Sequence, residues 1–284
     1  MIRNTIINLY NRRSSKRYGW EPNWFGANGF DTRLIGLVKD FQTESGLSQD
    51  GMVGPMTFRR LTSQREAQAE LSENRLLVNG EYVTIGWHKV KIDMLESNCF
   101  RKSTRRRKPK KIVTHWDVCL SADSCRNVLK KRGISTHFVI DNDGTIVQLV
   151  DTNNIAWHAS GANTDSVGID ISNAYYTKYQ KVYEKRGHGP RPVITSKCHG
   201  RTLGPHLGYY PVQIEAYKAL LKFLNENYNI PLVCPLDKEG KLITTVHPES
   251  AKNKYRGVVC HYHLTKRKID TSGLELKAIL EQIH

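Results

Sequence analysis

The chain has 284 residues, and its 43 Lys and Arg residues against 27 Asp and Glu residues give a formal net charge of +16 at pH 7. Hydrophobic residues make up 39% of the chain and charged residues 25%, so it can bury a core and broad disorder is excluded. No run approaches the ~18 apolar residues that cross a bilayer, which excludes a membrane-spanning helix. The positive excess indicates a polyanionic partner, with nucleic acid as the first interpretation and an anionic cell wall or membrane surface as the second.

Residues 1–20 carry basic side chains but no apolar h-region and no small-residue cleavage site. We therefore expect synthesis in the cytoplasm without a signal peptide. The six cysteines contain no C-x-x-C pair, which argues against a zinc ribbon or a thioredoxin-like motif and predicts mostly free thiols.

Residues 34–61 predict two short helices joined by a tight turn. The first helix has an apolar stripe that ends near Gly46 and consists of Leu34, Leu37, Val38 and Phe41. The turn and the start of the second helix are marked by Phe41-Gln42, Gly46-Leu47, Asp50-Gly51, Val53-Gly54 and Thr57. This set resembles the type 1 peptidoglycan-binding module, a compact three-helix unit of wall-degrading enzymes, and implies such a module over residues 1–65. The alternative is an arbitrary helical hairpin in which these residues only form core and turns.

Residues 66–110 are predicted to form a linker between two domains. Asn79-Gly80 lies between β-type residues and predicts a small hairpin within residues 78–92. Between Arg101 and Lys111, eight of eleven residues are Lys or Arg. Such a run repels itself and predicts an exposed linker or domain edge.

Strands and helices alternate in the predicted elements after Lys111. We expect strands at residues 112–115, 136–140, 145–150, 166–171 and 257–260, and helices at 124–132, from Pro211 onward and at 274–283. The alternation predicts an α/β domain over residues 111–284, with one mixed β-sheet flanked by helices.

Two histidine-bearing segments of this domain carry the strongest chemical signal. His115 ends a predicted strand, and Cys260-His261-Tyr262-His263 follows another, with Asp270 shortly after. Two histidines and a carboxylate suit a catalytic zinc site, where three protein ligands leave a fourth position for water.

Five segments in order resemble the zinc-dependent N-acetylmuramoyl-L-alanine amidases of the type 2 amidase fold. They are IVTHWD, STHFVIDNDGTIVQLVD, IAWHASGAN, SVGIDISNAY and CHYHLTKRKIDTSGL. Together with the N-terminal module, they make the chain resemble a modular phage endolysin. That resemblance implies synthesis in the host cytoplasm and action on the cell wall after release through a separate pore.

The resemblance implies that His115, His261 and Asp270 are the Zn²⁺ ligands. Asp270 falls where some members have a cysteine. His263 is the alternative to His261, which is favoured because it directly follows the strand. Cys260 is rejected because it points to the opposite face of that strand.

Three further residues receive roles from the same resemblance. Lys268 matches a lysine near the scissile carbonyl, where a cation stabilises the developing oxyanion. Asp170 stands where recycling amidases carry a glutamate, and it is expected to orient the attacking water and accept its proton. His158 matches a histidine that lines the cleft, and it is expected to contact substrate or to support the metal site.

The expected function is hydrolysis of the amide between N-acetylmuramic acid and L-alanine of the stem peptide, by a monomer whose partner is bacterial peptidoglycan. One alternative is a non-catalytic peptidoglycan-recognition protein on the same fold, a class in which zinc ligands are typically lost. The other is a basic nucleic-acid-binding protein or nuclease centred on residues 101–111. No nucleic-acid motif supports it, so no specific nucleic acid is expected.

Overall fold

A computed structural model describes residues 2–283, with side chains for residues 3–65 and 74–283. The chain divides into two compact units, Met1–Ser72 and Glu73–His284. Within the described residues the α-helices are α1 Ile2–Tyr18, α2 Thr32–Glu44, α3 Pro55–Glu73, α4 Ala122–Arg132, α5 Gln180–Lys185, α6 Pro211–Tyr228, α7 Pro248–Ala251 and α8 Leu276–Glu281. None of the helices in this range is both long enough and apolar enough to cross a bilayer.

Among the described residues, the strands lie in the second unit. They are β1 Arg75–Val78, β2 Glu81–Thr84, β3 Val90–Ile92, β4 Phe100–Arg101, β5 Lys111–Trp116, β6 Phe138–Ile140, β7 Ile146–Gln148, β8 Ile155–Ala156, β9 Ser166–Ile171, β10 Val193–Cys198, β11 Arg201–Leu207 and β12 Gly257–Cys260. Six of them form one sheet in the order β12-β5-β9-β6-β7-β3.

The first unit is helical, and two buried amides hold its central turn. The Asn11 side chain donates to the Gly51 carbonyl and accepts from the Val53 amide, each at 2.9 Å. Gln42 accepts from the Gly51 amide at 2.9 Å and donates to Asp50 at 2.8 Å. Gly51 has φ +75°, and a Cβ there would meet Ile35 at 2.8 Å. The motif residues of this unit thus hold a turn.

The central sheet is mixed, which confirms the predicted fold class. Strands β12, β5, β9 and β6 are parallel, β7 is antiparallel to β6, and β3 is parallel to β7. Ile112, Ile169 and Val258 pack with α6 and α8 on one face, whereas Val139 and Val147 pack with α4 on the other. Because strand side chains alternate between faces, helices cover both sides of the sheet.

Most predicted elements of the second unit are present with small changes in length. Strands β9 and β12 match their predicted bounds, and α6 begins with Pro211 at its first position. Helix α4 begins two residues before its predicted start and ends at Gly133, whose φ of 61° provides the left-handed cap. The Asn79-Gly80 turn joins β1 and β2 as an antiparallel hairpin.

The predicted linker is different in the structure, because much of residues 66–110 belongs to the second unit. Strand β3 pairs with β7 inside the central sheet. Arg107 is 7% exposed, and its guanidinium donates to backbone carbonyls that include those of Thr152 at 3.0 Å and Ser166 at 2.7 Å. Lys111 is fully buried, and its Nζ donates to Asn253 at 2.7 Å. The basic run is therefore partly structural, because these two cations find buried oxygen acceptors.

The buried imidazole of His137 is expected to make stability depend on pH. Its Nδ1 accepts from the Gly168 amide at 3.0 Å, and its Nε2 donates to the Asn154 carbonyl at 3.1 Å. Burial, together with the Arg107 charge, lowers the pKa of His137 from 6.5 to about 3. Protonation therefore favours the unfolded chain, so stability that is present above pH 6.5 is lost as the pH falls toward 3.

When the pH falls from 7 to 5, His137 should lower the free energy of unfolding by roughly 1–2 kcal/mol. Urea unfolding at the two pH values measures this change. The His137→Asn variant keeps an acceptor for the Gly168 amide but does not titrate, so its loss of stability over the same interval should be smaller. Equal losses in the two proteins would contradict the assignment.

Candidate active site

The candidate residues lie at the carboxyl ends of parallel strands. His115 is the penultimate residue of β5 and is paired in register with Asp170 of β9. His261 directly follows β12, the other neighbour of β5. Because the strands are parallel, their carboxyl ends meet at one edge of the sheet, where α/β proteins bind ligands. His115 and Asp170 alternate with core residues Ile112 and Ile169, and thus face the α4 side.

Three side-chain atoms converge at this edge. Nδ1 of His115 lies 2.9 Å from Nδ1 of His261 and 3.0 Å from Oδ2 of Asp270. Nδ1 of His261 lies 2.9 Å from the same carboxylate oxygen. All three residues are buried. They form a group of possible metal ligands contributed by three separate segments of the chain.

The donor chemistry of this group suits a divalent cation. One ring proton on a nitrogen cannot serve two acceptors at once, so three mutual contacts of this kind are not satisfied by hydrogen bonds alone. Two imidazole nitrogens and one carboxylate oxygen are ligands that Zn²⁺ takes, and three protein ligands leave a position open. His115, His261 and Asp270 therefore fit the ion that the sequence implied.

His158 and Ser166 set the orientation of His115. Nε2 of His115 donates to Nδ1 of His158 at 3.0 Å, and Nε2 of His158 donates to Oγ of Ser166 at 3.1 Å. Ser166 in turn donates to the Ala162 carbonyl at 2.6 Å. The chain of donors leaves Nδ1 of His115 free to act as a ligand, as a supporting shell does in metal sites. Gly168 is required here, since a Cβ would lie 2.7 Å from the His158 ring.

The ionisation states also favour metal binding. Burial and the neighbouring His261 lower the pKa of His115 to about 4, so its imidazole is neutral at pH 7. Burial alone would raise the pKa of Asp270, but its interactions with the imidazoles of His115 and His261 outweigh burial and hold that pKa well below its usual value. A neutral imidazole and an ionised carboxylate are the states in which these groups bind metals.

Asp170 and Lys268 lie beside the cluster, in the same cleft. Burial, followed by the charges of Asp117 and Asp270, raises the pKa of Asp170 well above its usual value. The positive charge of Lys268 partly offsets the rise in the pKa of Asp170, and it adds to the lowering of the pKa of His115. Lys268 is exposed, so its ammonium group can contact a bound molecule while it stays partly solvated.

The cleft above the cluster has a volume of about 340 Å³, and its rim is partly apolar and partly polar. Val118, Val128 and Trp157 line it, and each is more than a third exposed. Polar groups at the floor together with apolar side chains at the rim are typical of sites that bind an organic substrate and orient it.

The structure brings His261 to the cluster and directs His263 away from it. Nδ1 of His263 accepts from the Cys260 amide at 2.9 Å, and its Nε2 donates to the Ile243 carbonyl at 2.7 Å. Both ring nitrogens are thus occupied in holding the chain after β12. Cys260 is fully buried in the core cluster under α6.

A hairpin that the sequence did not predict supports the loop carrying Asp270. Nε2 of His199, at the turn between β10 and β11, donates to the Lys268 carbonyl at 2.8 Å. Oγ of Ser272 donates to Oγ of Ser196 at 2.8 Å. These contacts join residues about seventy positions apart. No local pattern in the sequence marks these contacts.

A second group of possible ligands borders the cleft. Asp117, Cys119 and Cys125 place their ligand atoms within 4.8 Å of one another. The Asp117 carboxylate already accepts hydrogen bonds from the amides of Cys119 and Asn173 and from the Ser172 hydroxyl, at 2.8 to 2.9 Å. Asp117 therefore ties together the ends of β5 and β9.

The family model of N-acetylmuramoyl-L-alanine amidases matches residues 105–271, more than half of the chain. The chain belongs to the N-acetylmuramoyl-L-alanine amidase family. The matched range contains every residue of the cluster and of the cleft floor in this chain. A search of curated proteins finds no match.

Several solved structures are similar to this chain. The N-acetylmuramoyl-L-alanine amidase LysC from Clostridium intestinale URNW has 17% identity and a TM-score of 0.41, covering 67% of this chain and 94% of that chain. A mutant endolysin from Bacillus subtilis has 18% identity and a TM-score of 0.39, and the match covers 69% of this chain and 99% of that chain. AmpDh3 from Pseudomonas aeruginosa, solved in complex with an anhydromuramic pentapeptide, has 20% identity and a TM-score of 0.40. The match covers 66% of this chain and 65% of that chain.

Proposed function

We propose that the chain is a zinc-dependent peptidoglycan hydrolase that cleaves the amide between the lactyl group of N-acetylmuramic acid and L-alanine of the stem peptide. The observation that carries the proposal is the convergence of His115, His261 and Asp270 within 3.0 Å, at the floor of a cleft that also holds Asp170 and Lys268. Family membership supports the choice of the scissile amide bond, and the two histidines and one carboxylate support the choice of zinc.

When bound by these three ligands, Zn²⁺ polarises the scissile carbonyl and lowers the pKa of water. Asp170 accepts a proton from the attacking water, whose oxygen bonds to the carbonyl carbon. Lys268 stabilises the negative charge that develops on the carbonyl oxygen. The C–N bond then breaks, and the L-alanine nitrogen takes the proton from Asp170.

His158 is proposed to act through His115 rather than on the substrate. It accepts the hydrogen bond of His115 Nε2 and is fixed by Ser166. Apolar contacts with the substrate come instead from the rim residues Val118, Val128 and Trp157.

The helical first unit is proposed to be a wall-binding module that tethers the catalytic unit to its substrate. A tether raises the effective concentration of the enzyme at an insoluble polymer without adding any contact at the cleft. The whole chain is proposed to serve a phage in lysis of its host. It is then made in the host cytoplasm and acts, as a monomer, on the wall after release.

Digestion of purified peptidoglycan, followed by mass spectrometry, tests the activity. We expect free stem peptides that begin with L-alanine, together with intact glycan strands. Cleaved glycosidic bonds or cleaved cross-links would reject the bond assignment. A non-catalytic recognition protein would release nothing, although it would bind the wall.

A metal assay separates the same two candidates by another route. Recognition proteins of this fold typically lack the ligands, whereas this chain presents all three of them in contact. Purified protein should contain zinc, and removal of zinc with a chelator should stop peptide release until zinc is returned.

A further inference from the structure

A basic cavity lies in the second unit, away from the cleft. Its volume is about 470 Å³, and its lining includes the cations Arg106, Lys108, Lys110 and Arg256. Asn227 and Asn229, at the end of α6, add amide groups. Within the described part of the chain, no acidic residue lines it.

The four cations have no carboxylate partner. Each is exposed, and none forms an ion pair among the described residues. The carboxylate of Asp165, whose carbonyl accepts from the Lys110 amide, faces the buried Lys111 at 3.5 Å instead. Like charges around one cavity raise its potential, and a bound anion relieves their repulsion. The carboxyl end of α6 contributes only a partial negative charge against the full positive charges of these four exposed cations, and the buried Arg107 also lines the cavity.

The topology places this cavity opposite the candidate active site. Lys110 directly precedes β5 and Arg256 directly precedes β12, and the two strands are parallel neighbours. His115 and His261 lie at the other ends of the same strands. At about 3.3 Å per residue, the five steps from Lys110 to His115 span roughly 16 Å. A ligand held in the cavity therefore leaves the cleft open.

We propose that this cavity binds the phosphate groups of a phosphodiester-linked polymer of the bacterial envelope, one without aromatic groups. Ammonium and guanidinium groups are the side chains that bind phosphate, and the Asn amides suit the hydroxyl groups of a polyol or sugar. The inference rests on the proposed function, because it assigns a second attachment point to an enzyme that works on the wall.

The lining disfavours a nucleic acid. Single strands bind through exposed aromatic rings on which bases stack. Among the described residues that line the cavity, Tyr228 alone is aromatic; it is half-buried, and its hydroxyl is hydrogen-bonded to Thr152 at 2.5 Å. Without a stacking platform, phosphate and hydroxyl groups are what the cavity can recognise.

The test compares two double variants of the full chain with equal loss of charge. Lys110→Gln with Arg256→Gln removes two cavity cations, and Arg186→Gln with Lys238→Gln removes two exposed cations elsewhere. The probe is a synthetic glycerol phosphate oligomer, titrated by calorimetry at low and at moderate salt. We expect the cavity variant to weaken Kd at least about tenfold and the matched variant less than about threefold.

Activity measurements separate this inference from the proposed function. Both variants should hydrolyse a soluble muramyl peptide at the wild-type rate, whereas the cavity variant alone should digest phosphate-polymer-bearing walls more slowly. Equal affinities in wild type and cavity variant would overturn the inference, as would equal losses in the two variants. Tighter binding of single-stranded DNA than of the oligomer at matched charge would also overturn it. An inactive wild type that still binds the oligomer would reject the proposed function alone.

Discussion

Replacing Asp270 by alanine is expected to abolish zinc binding and amide hydrolysis together. The carboxylate lies 3.0 Å from His115 and 2.9 Å from His261, so its loss leaves only two ligands. We expect the zinc content of the purified protein to fall below about a tenth of the wild-type content. Peptide release should fall on the order of 10³-fold, since a metal contributes several kcal/mol to the transition state. Elemental analysis and product quantification measure the two effects.

Two matched variants make this result specific. Asp270→Cys supplies the thiolate that some family members are expected to use, so it should retain zinc. His263→Gln removes the neighbouring histidine whose nitrogens bond to Cys260 and Ile243, so it should lower stability without changing zinc content. Unchanged zinc content in Asp270→Ala would reject Asp270 as a ligand. Loss of zinc in His263→Gln would favour His263 over His261 as the second histidine ligand.

Replacing Asp170 by asparagine is expected to remove activity while leaving the metal in place. The asparagine keeps the size of the side chain at its register position beside His115 but does not accept a proton. General base catalysis contributes typically 10²–10⁴-fold, so kcat should fall by at least about 10²-fold. Since burial raises the pKa of Asp170, loss of its charge should not destabilise the fold.

Asp170→Glu is the corresponding rescue. It restores a carboxylate of the length expected in recycling amidases, and it should recover a substantial part of the activity lost in Asp170→Asn. Zinc content and thermal unfolding of both variants should match the wild type. Activity of Asp170→Asn within about threefold of wild type would show that another group accepts the proton, because a lost base costs far more.

The two proposals depend on different parts of the same charge excess. Lys268 lines the cleft, whereas Lys110 and Arg256 lie at the other ends of the parallel strands. Arg107 and Lys111 are buried and serve the fold. The two proposals and the fold therefore depend on different cations among the 43 Lys and Arg residues of the chain.

Local sequence patterns were sufficient for several elements of the second unit, including the strand that carries His115. The apolar run before His115 indicated β5, the glycine after Arg132 marked the end of α4, and Pro211 marked the start of α6. Each signal acts within a few residues of chain, where backbone preference and side-chain periodicity decide the conformation. The mixed sheet followed from the order of these elements.

Other features depended on contacts between distant residues, and no local pattern reported them. The linker prediction was wrong for Arg107, because the carbonyls that receive its guanidinium come from residues 152–166. The β10–β11 hairpin and its contact with the Lys268 loop were missed for the same reason. Residues far apart in the chain form hydrogen bonds with polar groups that the sequence by itself predicts to be exposed to solvent.

The sequence by itself determined the residue types of the site, the strands that end in them and the family to which the chain belongs. The tertiary structure alone decided that His261 rather than His263 contacts His115 and Asp270, and that His158 supports His115 from behind. Those choices depend on the register of β12 against β5 and on hydrogen bonds across 43 to 155 residues of chain. Spacing along a sequence limits which residues can meet, but only packing determines which atoms do.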